Sequence, residues 1–345
     1  MTRRITMTDV AREGNVHQTT VSLALRNDPR LPAATRTRIR DLAERMGYRP
    51  DPMLSALNFY RTSRAEAKAR PSMALLVRAR VKRSTFYCDD QILKGARRAC
   101  ERLGYRLVVF PVANADGEGP RLSRILRSRG ITGLILATLD AGLHRLDMEW
   151  EHFSALCIES QHLGLSLHTV GNNQMAITRT AVRRIRELGY RRIGLCVGQS
   201  EEAALQKPFT GGYLLEMHEF PDLAPIPALV LDNGEDPDVP GRVGDWVRAH
   251  RIDAVLSNWS SIPELLAGTG LRVPDDVGVA TLDYNPNRGA YAGVRQSHQI
   301  VAERAVEALS LLMKTNQTGL IAFPNVILVD GVWEDGPEMP PRAHG

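Results

Sequence analysis

From residue 73 onward, short apolar runs alternate with stretches whose apolar residues recur at helical spacing. Such alternation restricts a chain to parallel sheets covered by helices on both faces, because crossover helices must pack back onto the strands they connect. Candidate strands are Met73 to Val77, Arg106 to Val112, Gly133 to Ala137, Ala155 to Ile158, Arg192 to Val197, Ala228 to Leu231, Ala254 to Ser257 and Val277 to Leu282. Between the first two, Ile92, Leu93, Ala96, Ala99, Cys100 and Leu103 mark one helical face, which Gly104 closes. Ile177, Ala181, Ile185 and Leu188 repeat the pattern before Gly189. So many strands could form one sheet or two. The break at His168 to Gln174, where VGNNQ separates a strand from a long helix, favours two lobes joined by crossing segments. Ligands in open α/β sheets bind beyond the carboxyl ends of strands, so a cleft between two such lobes is the natural site.

The 345 residues exceed one core and predict two or three folding units. Charge divides the chain unevenly. Residues 1 to 70 hold 14 Lys+Arg against 7 Asp+Glu, which leaves 30 against 32 for residues 71 to 345. The basic excess therefore lies wholly in the N-terminal fifth, as expected of a segment that meets a polyanion.

That segment reads as three short helices. Thr6 is the expected N-cap of the first, with Asp9 three residues on and Val10 and Ala11 facing inward before Gly14. The second runs from about Gln18 to Leu25 and the third from about Ala33 to Met46, with Gly47 as its cap. A second helix so soon after the first is helix-turn-helix spacing. In that geometry the second helix enters the major groove with its N-terminal side chains on base edges. Gln18 can pair bidentately with adenine, Thr19 offers a hydroxyl and a methyl, and Leu23 offers only apolar contact. Arg26, Arg30, Arg36 and Arg38 surround the helix as candidate phosphate clamps.

The run from Thr6 to Leu57 resembles the lactose-repressor and galactose-repressor (LacI/GalR) family. The matching positions are Asp9, Val10, Ala11, Val16, Thr20, Val21, Ser22, Thr35, Arg36, Ile39, Gly47, Tyr48, Pro50 and Leu57. The resemblance implies DNA contacts from Thr6, His17, Gln18, Thr19, Ser22, Leu23, Arg26, Arg30, Thr35 and Tyr48. It also implies a hinge helix over residues 51 to 59 that presents Met53, Leu54 and Leu57, with Leu57 wedged into a central base step of a palindromic operator. Packing of the same three residues on the sensor is the alternative. Three departures leave the base preference open: His17 stands where the family commonly has a Ser N-cap, Arg26 where it has Asn, and Leu23 where polar readers are frequent. Residues 59 to 70, FYRTSRAEAKAR, would extend the hinge, track phosphates or form a solvated linker.

The remainder resembles the family's periplasmic-binding-protein-like (type I) core, notably in NNQMAITRTAVRRIRELGYRRIGLCVG, VPDDVGVATLDY and VRQSHQIVAERAVEAL. The expected fold is thus an α/β sensor of two doubly wound parallel-sheet lobes behind an all-α headpiece. Its expected divisions are a headpiece over 1–50, a hinge and basic linker over 51–71, and a sensor over 72–345. Within the sensor, one lobe takes about 72–165 plus 298–322 and the other about 170–295, and the chain crosses between them three times. By resemblance Asp283 is an effector-binding carboxylate; Glu159, Asn258 and Gln296 are further cleft candidates, while Phe86, Tyr87 and Trp259 could stack on a ring or pack in the core. In LQKPFTGGYLLEM, where many relatives carry an effector-clamping arginine, Lys207 or Phe209 takes the region, which favours a ligand without an acidic group, or no ligand at all.

The expected function is a sequence-specific transcriptional regulator, in the first instance a repressor. It would bind double-stranded operator DNA as a homodimer through its sensor domains and respond to a sugar-like effector. A constitutive regulator without a ligand switch, and a cytoplasmic solute-binding protein, are the other readings; the headpiece argues against the second. No phosphate-loop, dinucleotide, nucleophile-elbow or zinc-protease motif occurs, so no enzyme is expected and no cofactor. Cys88, Cys100, Cys157 and Cys196 form no C-x-x-C pair and read as buried thiols. His144, His152, His162 and His168 fit no zinc spacing and read as solvated loop residues, so no metal is expected. MTRRITMTDV carries no apolar leader core, and the longest apolar run, Ile131 to Leu139, is far short of the roughly 18 residues of a bilayer span. A cytoplasmic, non-membrane protein is expected.

Overall fold

A computed structural model describes residues 5–25, 28, 30–48, 70–79, 87–113, 118–137, 139, 143, 145–159, 163–199, 202, 205–232, 237–286 and 292–342. The headpiece consists of α1 (Met7–Glu13), α2 (Gln18–Leu25) and α3 (Ala33–Arg45). Its core is small: Val10, Ala11, Val21, Ala24, Ile39 and Ala43 are buried, and Leu42, Met46 and Tyr48 close over them. The first helix starts where the sequence places its cap. Thr6 Oγ1 accepts from Asp9 N, and Thr6 N donates to Asp9 Oδ2 at 2.9 Å, which satisfies orphan groups at both ends of the turn.

The first lobe is built on β1 (Ser72–Arg78), α4 (Tyr87–Leu103), β2 (Arg106–Val112), α5 (Glu118–Ser128), β3 (Gly133–Ala137), β4 (Ser154–Ile158) and β5 (His168–Asn172). The second begins with α6 (Gln174–Glu187) and β6 (Ile193–Gly198), then α7 (Pro208–Glu219), β7 (Leu229–Leu231), α8 (Val239–Ala249), β8 (Ala254–Ser257), α9 (Ile262–Ala267), β9 (Gly278–Thr281) and β10 (Ala292–Arg295). The chain returns through α10 (His298–Lys314) and β11 (Val326–Val329) to the first lobe and ends with β12 (Val332–Glu334) in the second. Sheet order is β11-β5-β4-β3-β1-β2 in the first lobe and β12-β10-β9-β8-β6-β7 in the second. All pairings are parallel except β10 with β12, which is antiparallel.

Strand alternation distributes the core between the two faces of each sheet. In β1, Met73 and Leu75 pack under α4 and α10, whereas Ala74 and Leu76 pack under α5 and the segment carrying Trp150 and Phe153. In the second lobe Leu195 and Val197 face α6 and α7, and Cys196 faces α8 and α9. Buried helices and strands rich in Ile, Leu and Val follow directly from the sequence pattern. Cys100, Cys157 and Cys196 are buried and Cys88 half-buried, all as free thiols.

Two boundaries differ from the sequence reading. His168–Asn172, placed there at the break between lobes, is a strand of the first sheet between β4 and β11. His168 is accordingly no solvated loop residue: its Nδ1 accepts from Asn325 N at 2.8 Å, and burial lowers its pKa. The sequence beyond 322 also supplies one strand to each lobe, because β11 pairs with β5 and β12 with β10. These edge partners are short and exposed, and their periodicity is too weak to read alone.

Three segments thus pass between the lobes, at 172–174, 295–298 and 329–332, and they are bonded side by side. Asn173 N donates to Val329 O at 2.8 Å, Asn173 Nδ2 to Asp330 Oδ1 at 2.9 Å, and Ser297 N to Asn172 Oδ1 at 2.9 Å.

Candidate functional site

The headpiece presents one helix end to solvent. Gln18 and Thr19, at the start of α2, are exposed, whereas Val21 and Ala24 on the opposite face are buried, which fixes the orientation of the helix. His17 takes the capping role that a serine would fill: its Nδ1 accepts from Thr19 N at 3.3 Å and lies 2.8 Å from Thr19 Oγ1. The imidazole therefore holds the Thr19 side chain against the first turn. Ser22 and Leu23 are half-buried, as is Thr35 on α3. Arg30 is exposed, and its Nε and Nη2 lie 2.9 and 2.7 Å from the two oxygens of Asp28. Tyr48 packs against the headpiece core. Arg26, Met53, Leu54 and Leu57 lie outside the described residues.

The second candidate site lies where the strand ends of the two lobes meet. On the first lobe, Glu159 follows β4 at a left-handed φ of 52° and turns its carboxylate toward β5. Its Oε1 accepts from Asn172 N at 2.7 Å and from Asn172 Nδ2 at 3.0 Å. Gly171 admits this arrangement: a Cβ there would lie 3.0 Å from Glu159 Cγ. Arg78 at the end of β1 donates to Asp89 at 3.3 Å. Beside it, burial pushes the Cys88 thiol up to about 12, reinforced by the charges of Asp89, Asp283 and Glu159, so it stays protonated near neutrality.

On the second lobe, Asp283 follows β9 and faces His298, the first residue of α10, with Oδ1 3.1 Å from Nε2. Nearby, Gln296 and Gln174 form a reciprocal amide pair at 2.9 and 3.2 Å, and Gln296 Nε2 also donates to Leu282 O. Asn258 Oδ1 accepts from Gly198 N at 3.2 Å and so joins the ends of β8 and β6. Trp259 is half-buried against the lobe core and lines a shallow pocket with Thr281, Asp283 and Asn285. Lys207 is the exposed, left-handed N-cap of α7.

One cleft candidate is corrected. Phe209 is 3% exposed and packs in the second-lobe core with Tyr213 and Ile193, because it sits on the inward face of the first turn of α7. Phe86 lies outside the described residues, and Tyr87 opens α4.

Residues 6–51 match the family model described as bacterial regulatory proteins, lacI family. The chain therefore carries a lacI-type headpiece. It is 29% identical over 191 residues to the HTH-type transcriptional regulator PtxS of Pseudomonas plecoglossicida, a match covering 55% of this chain and 53% of that one. The chain spans about half the length of the curated relatives it matches. Among solved structures, the transcriptional regulator CelR in complex with cellobiose superposes with a TM-score of 0.59 at 20% identity, covering 97% of this chain and all (100%) of the other. The lac repressor dimer bound to operator and the anti-inducer ONPF gives a TM-score of 0.58 at 17% identity over 98% of this chain and 100% of its own. At these identities the likeness to the solved structures is one of fold.

Of the residues gathered where the lobes meet, the sequence names Glu159, Gln296 and Asp283 as cleft candidates and does not single out Asn172, Gln174, His298, Arg78 and Asp89. Their signal was positional. Each of Asn172, Gln174 and His298 lies within two residues of a crossing between lobes, but crossings are located only once strands are assigned to sheets. Among the described residues no cluster of His, Cys, Asp and Glu could hold a metal ion, and no helix is long and apolar enough to cross a membrane.

Proposed function

We propose that this chain is a lacI-family, sequence-specific transcriptional regulator, in the first instance a repressor, that binds a palindromic operator as a homodimer and answers to a sugar-like molecule in the interlobe cleft. The observation that carries the reading is α2, whose exposed Gln18 and Thr19 stand at the N-terminal end that enters the major groove in helix-turn-helix docking. Division into a headpiece over 1–50, a hinge with linker over 51–71 and a sensor beyond belongs to the same proposal, as do a cytoplasmic location and a hinge wedge from Met53, Leu54 and Leu57. The curated relatives are transcriptional regulators, and no enzymatic role is proposed.

At the cleft, Asp283, Glu159, Asn258 and Trp259 combine planar acceptors and donors with an aromatic face, a set suited to hydroxyl-rich rings. The CelR complex with cellobiose supports that class of ligand. The exposed Lys207 is the one residue of the α7 loop proposed here that could reach an anion.

Selection of bound duplexes from a random pool tests the DNA reading. The selected site should be palindromic and bind about a thousandfold tighter than a scrambled duplex at physiological salt. Equal affinities for the two would sink it. Operator affinity measured across a sugar panel tests the sensor.

A second reading retains DNA binding without a ligand switch. It is favoured by the cleft-floor polar groups, since Glu159, Asn172, His298, Asp283, Gln174 and Gln296 already bond to one another. Operator affinity unmoved by every sugar, with thermal midpoints equally unmoved, would select it.

A further inference from the structure

The cleft floor carries a hydrogen-bond chain that runs from one lobe to the other through a buried imidazole. Glu159 Oε1 accepts from Asn172 Nδ2 at 3.0 Å, Asn172 Nδ2 lies 3.2 Å from His298 Nδ1, and His298 Nε2 lies 3.1 Å from Asp283 Oδ1. The orientation of the Asn172 amide is dictated by its other partners. Ser297 N, a donor, requires Oδ1, and Glu159, an acceptor, requires Nδ2. An amide so held offers His298 Nδ1 an N–H. The ring must accept there, which makes it neutral with its proton on Nε2, aimed at Asp283.

We propose that His298 is a positioning residue and a proton-gated link between the lobes: neutral, it joins Asp283 to Asn172 and Glu159; protonated at Nδ1, it retains Asp283 and releases Asn172. A proton on Nδ1 sets donor against donor at 3.2 Å. Flipping the Asn172 amide to accept it places Oδ1 against the Glu159 carboxylate and Nδ2 against Ser297 N, so both bonds of the crossing segments are lost. The ion pair to Asp283 is meanwhile strengthened. One protonation therefore exchanges a bond inside the first lobe for a stronger hold on the second, at the residue pair proposed to meet the effector.

The groups facing the imidazole favour its protonation. They are Asp283 from the loop after β9, Glu159 from the end of β4 and Asp89 from α4, with Arg78 of β1 paired to Asp89. Burial alone lowers the imidazole's pKa, but the hydrogen bond to Asp283 and the charges of Asp283, Glu159 and Asp89 outweigh it and raise the pKa above the ordinary 6.5.

The inference deepens the cleft reading, but its test needs neither DNA nor effector. Nitrogen-15 spectra of the full chain labelled at histidine should show His298 as the Nε2–H tautomer at high pH and titrating above the ordinary 6.5. Over that titration, amide-exchange protection of Asn172 and Ser297, corrected for intrinsic rates, should fall about tenfold, as for loss of one charge-linked bond. In His298→Gln, which keeps a donor for Asp283 but cannot titrate, protection should no longer change with pH. An Nδ1–H tautomer at high pH, unchanged protection through the titration, or a loss that persists in His298→Gln would overturn the proposal. Should that variant fail to fold, Asp283→Asn must move the His298 midpoint and the loss of protection down together; a loss that stays in place overturns it.

Discussion

Gly95 lies in the middle of α4, where alanine would ordinarily stabilise a helix by about 1 kcal/mol. Here the expected sign is the reverse. A Cβ at Gly95 would stand 2.2 Å from Gln299 O and 2.9 Å from Gln299 C and Cα, all backbone atoms of α10, whereas ordinary contact begins at about 3.4 Å. No side chain can rotate out of the way, so α10 must move by roughly 1 Å at its first turn, next to His298. Forced overpacking of this kind costs typically 1–3 kcal/mol, and a backbone obstacle argues for the upper part of that range. After the helix-propensity gain the net expectation for Gly95→Ala is a loss of ~1–2 kcal/mol. In a sensor of this size that lowers the thermal midpoint by several degrees. Thermal unfolding of the full chain, followed by far-UV circular dichroism with Gly104→Ala as comparison, measures it. The comparison site tests a different cost, since Gly104 has open space around its Cβ position but a φ of +80°. A raised midpoint for Gly95→Ala would mean that helix propensity outweighs the clash and that α4 and α10 are not in the close contact described. The same variant should also perturb the His298 tautomer through its displaced helix start.

Gln18→Ala should weaken operator binding by about 1–3 kcal/mol while leaving binding to unrelated duplex nearly unchanged, as competition titrations at fixed salt would show; equal losses on both would place Gln18 off the base edges. Leu57→Ala should likewise reduce operator affinity more than nonspecific affinity and reduce the bend angle seen by circular permutation of the site, whereas an unaltered bend would refute the wedge. Glu216 is fully buried between Arg179 and Arg183. Burial alone raises its pKa, but hydrogen bonds from Arg183 and Arg179 outweigh that and lower it below the usual 4.5. Its contribution is therefore present above the unfolded value and lost as pH falls through the folded one. Denaturant midpoints from pH 6 to about 3 should decline less steeply for Glu216→Gln than for the unsubstituted chain, and parallel declines would contradict the assignment.

The local vocabulary of this protein was legible in its sequence. The three headpiece helices, their caps and core face follow from 3.6-residue periodicity and from Thr6 and Gly14, and the structure gives α2 the bounds read from the pattern. Most strands of both sheets could likewise be placed, because buried parallel strands are continuous apolar runs bounded by polar turns. The short partners β10, β11 and β12 escaped: β11 and β12 are edge strands whose exposed residues, such as Val326 and Leu328, obey no burial pattern that a sequence can display, and β10 is a run of only four residues.

Sequence alone thus determined the headpiece, the alternating α/β build of the sensor and the carboxylates at strand ends, all of which depend on neighbours a few residues apart. Tertiary structure alone decided which sheet takes His168–Asn172, why Phe209 is core rather than cleft, and that residues 159, 172, 283 and 298 share one chain of hydrogen bonds. The bond that completes that chain, Asn172 to His298, joins residues 126 positions apart, and its partners are set by where three crossing segments converge, which no local pattern encodes.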